Sequence, residues 1–120
     1  MFQWVQVGDC MGIRMTFEGL VRYENRDEYL ALLKERQEYL DKIDEVKRVQ
    51  IFHQTFGGVA DTYVELWEMD DMGSIDSFLT KAYSNEGFAG LAAKIHDLIE
   101  PGSLDRRIWT EVIDFIRDTK

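Results

Sequence analysis

The sequence predicts an α+β fold in the order strand, helix, strand, strand, helix, strand, with a four-stranded antiparallel sheet and both helices on one face. Three observations carry this. The hydrophobic period switches between two and the helical value in that order. The only proline, in Pro101-Gly102-Ser103, punctuates two periodic segments and opens no linker. The 120 residues suit one core and one domain.

Residues 15–23, MTFEGLVRY, alternate as a strand, with Met15, Phe17 and Val21 on one face and Thr16, Glu18 and Arg22 on the other. From Asn25 the spacing of Tyr29, Leu30, Leu33, Leu40 and Ile43 is helical, and Asn25 with Glu28 forms a capping box. Residues 47–56, KRVQIFHQTF, are rich in β-branched and aromatic types, and Gly57-Gly58 supplies the positive backbone angles of a hairpin before residues 61–69, DTYVELWEM. Ile75, Phe78, Leu79, Ala82 and Tyr83 then follow the helical period, which pauses at Ser84-Asn85-Glu86-Gly87 and resumes through Phe88, Leu91, Ala92, Ile95, Leu98 and Ile99. This predicts a broken helix, or a short helix and a longer one capped by Ser84. Residues 106–114, RRIWTEVID, form the last strand. Right-handed crossovers turn this order into a ferredoxin-like βαββαβ sheet. Its core spans about residues 14–114 of the single domain 1–120, and within residues 1–13 the first six or so, with Phe2, Trp4, Val5 and Val7, are a candidate extra edge strand.

Composition narrows the function classes. Hydrophobic residues make up 45% and charged residues 31%, near the globular average, which excludes a disordered chain. Asp and Glu number 23 against 14 Lys and Arg, so the formal charge of −9 repels nucleic-acid backbones and anionic membranes. No apolar run approaches membrane-spanning length. The stretch MFQWVQVGDCMGIR carries its first positive charge at Arg14 and does not read as a signal peptide. Cys10 is the only cysteine, which leaves no intrachain disulfide and no thiolate cluster. A cytoplasmic protein is expected.

Parity within the strands separates two residue sets. Met15, Phe17, Val21, Val49, Ile51, Val64, Leu66, Ile108 and Val112 are expected to cover the helices. The second set runs through Thr16, Glu18, Leu20 and Arg22, then Gln50, Phe52 and Gln54, then Tyr63, Glu65, Trp67 and Met69, then Arg107, Trp109 and Glu111. Half aromatic and half polar, it would expose an apolar patch of several hundred Å² unless something covered it.

With these two sets and the stretch YVELWEMDDMGSIDSFLTKAYSNEGF, the chain resembles the dimeric α+β barrel proteins over about residues 14–114. That superfamily includes antibiotic-biosynthesis-type and haem-degrading monooxygenases, muconolactone-isomerase-like enzymes and NIPSNAP-like proteins. The resemblance implies a homodimer through the sheet faces, with helices outside and a pocket inside the barrel or between sheet and helices. It further implies a small aromatic or polyketide-like ligand, acted on by a cofactor-independent monooxygenase or isomerase; the alternative is a non-catalytic metabolite-binding, stress-related or interaction module. Trp67 stands where the haem-degrading branch keeps a strand tryptophan. That branch's early Asn and second-helix His have no match, with Ala92 and Ala93 near the latter position, which speaks against haem degradation.

Glu18 and Glu65 are expected on adjacent central strands and one face, where paired carboxylates can do acid–base work. The competing reading makes them dimer ion pairs with Arg22 and Arg107, and Glu111 with Arg107 repeats the choice. Glu65, between Tyr63 and Trp67, is the first catalytic candidate, followed by Glu18 and Glu111. Tyr63, Trp67, Phe52 and Trp109 either stack on a flat ligand or pack a dimer interface, with Arg22 and His53 as further ligand contacts. His53 lies on the aliphatic parity, where a hydrogen-bonded imidazole is the commoner state, and His96 is expected near the polar side of its helix. With no second histidine at ligand spacing, neither metal nor cofactor is expected. RNA binding is not expected either, because DTYVELWEM lacks the Gly, stacked aromatics and basic flanks of RNA-binding strands.

Overall fold

The computed structural model describes residues 3–6 and 12–118. Strands β2 (Ile13–Leu20), β3 (Arg48–His53), β4 (Thr62–Met69) and β5 (Asp105–Thr110) form an antiparallel sheet in the order β3-β4-β2-β5. Helices α1 (Arg26–Leu40), α2 (Met72–Tyr83) and α3 (Glu86–Asp97) cover one face, completing the ferredoxin-like α+β fold. Strand β1 (Gln3–Gln6) pairs with β6 (Phe115–Asp118) in a separate two-stranded ribbon and does not extend the main sheet. The radius of gyration, 16.3 Å, exceeds the roughly 13.6 Å of a compact chain this long. Among the described residues no helix is long and apolar enough to cross a membrane.

Local chemistry sets the boundaries. The pause at residues 84–87 is a full break between two twelve-residue helices. Asn85 caps α3, its Oδ1 accepting from the Gly87 and Phe88 amides at 2.9 and 3.2 Å, while Ser84 ends α2. Asp71 caps α2 in the same way, accepting from the Ser74 amide at 2.9 Å. Asn25 makes no side-chain cap: a 3-10 turn, Tyr23–Asn25, leads into α1 and leaves Asn25 in a helical conformation, whereas capping residues adopt extended angles. Gly57 and Gly58 have the expected positive φ, 81° and 58°, within a 54–61 loop longer than a tight hairpin.

Register decides the faces. Met15 lies opposite Trp67 and Ile108, Phe17 opposite Glu65 and Arg106, and Val49 opposite Trp67. Directly opposed residues share a face. Strands β2, β3 and β5 therefore keep the expected parity, except that β5 ends at Thr110, short of the expected 106–114, and leaves Val112 exposed beyond it. Strand β4 is inverted: Tyr63, Glu65, Trp67 and Met69 face the helices, and Val64 and Leu66 lie on the open face. The physical reason is area. Burying tyrosine, tryptophan and methionine removes far more apolar surface from water than burying valine and leucine. Trp67 packs against Phe17 and Phe78 at centroid distances of 5.8 and 5.3 Å.

Candidate functional site

The three helices do not close completely over the sheet. A cavity of about 530 Å³ remains, floored by Met15, Phe17 and Trp67 and walled by Ile75, Phe78 and Ala92. Its volume falls in the usual range for small-molecule sites.

One polar cluster lies at its base. Glu65, 4% exposed, forms an ion pair with Arg36 of α1, itself 6% exposed. The same Glu65 Oε1 accepts from Trp67 Nε1 at 3.2 Å, and the Arg36 guanidinium lies 4.9 Å above the Trp67 ring. Arg36 Nε is buried without a hydrogen-bond partner. Tyr29 packs beside Tyr63 at 5.2 Å between ring centroids. Burial first, and the Glu65 charge second, push its phenol pKa up from the ordinary value. Burial likewise raises Tyr63.

This geometry corrects several expectations. Glu18 and Glu65 are on opposite faces, because Glu18 pairs with Val64 across the ladder and Glu65 with Phe17. Glu65 meets neither Arg22 nor Arg107. Arg22 pairs with Glu100, and Arg107 with Asp105 at 2.9 Å. Glu111 lies 3.6 Å from Arg14, which also reaches Glu68 at 3.4 Å. The aromatic set is divided: Tyr63 and Trp67 lie in the helix-side core, Phe52 and Trp109 on the open face, about half exposed, with Trp109 Nε1 donating to Thr16 Oγ1 at 2.9 Å. His53 is exposed at the strand end, its ring 4.8 Å from Tyr63. Among the described residues no cluster of three or more His, Cys, Asp and Glu could hold a metal ion.

Arg36 is the site residue that sequence reasoning missed. Its signal was present, for position 36 falls on the buried stripe of Tyr29, Leu32, Leu33 and Leu40. An arginine at an apolar position announces a buried partner. Arg106 and His96, at the cavity wall, were also not singled out as ligand contacts.

No protein-family model and no curated protein matches the sequence. Solved structures do match. A conserved protein from Methanosarcina mazei Go1 superposes with a TM-score of 0.70 at 16% identity, covering 86% of this chain and 95% of that one. A NIPSNAP family protein from Agrobacterium tumefaciens strain C58 gives 0.70 at 15%, covering 90% and 92%. SnoaB, a cofactor-independent oxygenase from Streptomyces nogalater, gives 0.67 at 12%, covering 85% and 94%. The chain thus has the α+β fold shared by NIPSNAP and antibiotic-biosynthesis-monooxygenase-like proteins.

Proposed function

We propose that the protein is a homodimer that binds a small aromatic or polyketide-like molecule in the sheet–helix cavity and acts on it as a cofactor-independent monooxygenase or isomerase. The observation that carries this is the cavity itself: an apolar chamber of ligand size, walled by aromatics, with an acidic group at its base. Glu65 is the side chain suited to remove a substrate proton. The resulting carbanion regains a proton elsewhere in isomerisation. In oxygenation the substrate's own electrons reduce O₂, one oxygen atom entering the product and the other leaving as water. The fold shared with SnoaB supports this direction.

A second reading, a non-catalytic metabolite-binding protein, is favoured by one observation: Glu65 Oε1 is already engaged by Arg36 and Trp67. Glu65→Gln separates the two once a ligand is in hand, abolishing turnover in the first case and sparing binding in the second. Dimerisation through the open face is supported by Phe52, Val64, Leu66 and Trp109, which form an uncovered apolar set there. Covering it with a second copy would bury about 800 Å² per chain.

Fluorescence titration with N-phenyl-1-naphthylamine tests the cavity. Saturable binding that Ala92→Phe abolishes supports the reading, and an absence of saturable binding overturns it.

A further inference from the structure

The charge on the cavity wall runs against the charge of the chain. The protein carries −9 overall, yet the charged side chains on the cavity side of the sheet and helices are Arg36 and Arg106 against a single acid, Glu65, with His96 beside them. Arg36 is already neutralised by Glu65, and Arg107, on the open face of the sheet, by Asp105. Arg106 has no ion-pair partner among the described residues; exposed at the rim of the cavity, it holds its guanidinium over the Phe17 ring at 5.9 Å. The imidazole of His96 on α3, exposed at the rim of the cavity, likewise has no side-chain hydrogen bond among the described residues.

Resting on the small-molecule reading above, we propose that the ligand of this cavity is an aromatic anion, with its ring system among Phe17, Trp67 and Phe78 and one carboxylate or similar oxyanion held by Arg106 and His96. The Arg106 guanidinium and the His96 ring nitrogens can both donate hydrogen bonds to an oxyanion. An anion approaching so acidic a chain needs local positive potential to enter. The planar guanidinium fork suits a carboxylate or sulfonate, and its seat on Phe17 holds it at the cavity wall.

Two fluorescent probes of one skeleton test this, namely N-phenyl-1-naphthylamine, which is neutral, and 1-anilinonaphthalene-8-sulfonate, which adds only the sulfonate. Arg106→Gln is expected to weaken the sulfonate probe about tenfold while the neutral probe changes less than about twofold. His96→Gln is expected to act in the same direction with a smaller loss. Ala92→Phe, which fills the cavity, should abolish both. If Arg106→Gln alters neither probe, or both equally, the anionic-ligand proposal is overturned while the cavity reading stands. The proposal also fails if the sulfonate probe survives Ala92→Phe, since it then binds elsewhere. If N-phenyl-1-naphthylamine does not bind the wild-type protein, the cavity reading itself falls.

Discussion

Replacing Arg36 by methionine keeps the length and most of the bulk of the side chain but removes its charge from a site where Arg36 and Glu65 are 6% and 4% exposed. The Glu65 carboxylate then keeps Trp67 Nε1 but loses its counter-ion. Breaking a buried pair from one side costs about 3–5 kcal/mol, because the remaining charge is uncompensated. At about 2.1 cal/mol/K of unfolding entropy per residue, that lowers the melting temperature of a chain this long by about 12–20 °C. Glu65→Met should cost a similar amount, since it strands Arg36, whose Nε already lacks a partner. The double variant Arg36→Met/Glu65→Met should recover most of the loss, for an apolar pair of similar volume replaces a buried ion pair at little cost. Thermal melts followed by circular dichroism, at one fixed protein concentration, give all three values. Single variants that melt within about 3 °C of wild type, or a double variant whose loss is the sum of the singles, would refute the claim that a desolvated ion pair sits at the cavity base.

Other perturbations read other parts of the structure. Leu66→Asp, on the open sheet face, should convert a dimer to a monomer by light scattering while leaving far-ultraviolet dichroism intact; an unchanged mass would place the dimer contact elsewhere. Asn85→Ala removes the α3 cap and should lower stability by about 1 kcal/mol in denaturant titration, whereas Asn25→Ala, which loses no cap bond, should not. Tyr29 has a raised folded-state pKa, so the folded protein holds that proton more tightly than the unfolded chain. Its contribution is complete below about pH 10 and is lost as pH rises beyond it. Tyr29→Phe should therefore flatten the alkaline decline in stability, and an unaltered decline would remove Tyr29 from the account.

Element order was readable because each segment keeps one period, and the change from MTFEGLVRY to the stripe of Tyr29 and Leu33 marks where a strand yields to a helix. The orientation of β4 was not. In TYVELWEM both parities carry apolar residues, Val64 and Leu66 on one and Tyr63 and Trp67 on the other, so alternation alone does not say which is buried. The sequence pattern groups Glu65 with the mixed set expected to face a second sheet, and what makes its burial under the helices tolerable is Arg36, twenty-nine positions earlier on a different element. Local pattern carries no information about such a long-range pairing. The same limit separated Phe52 and Trp109 from Tyr63 and Trp67, which share a residue type but not a face. The cap of α3 shows a finer version: Ser84 and Asn85 are both good capping types, and only the extended backbone at Asn85 selects between them.

The central claim is that the chamber between sheet and helices is the ligand site. Intermolecular nuclear Overhauser effects between bound N-phenyl-1-naphthylamine and the protein's methyl groups test it most directly. The account predicts contacts to Met15, Ile75 and Ala92, which line the chamber from both layers. Contacts to Val64 and Leu66 instead, on the other side of the same sheet, would contradict it.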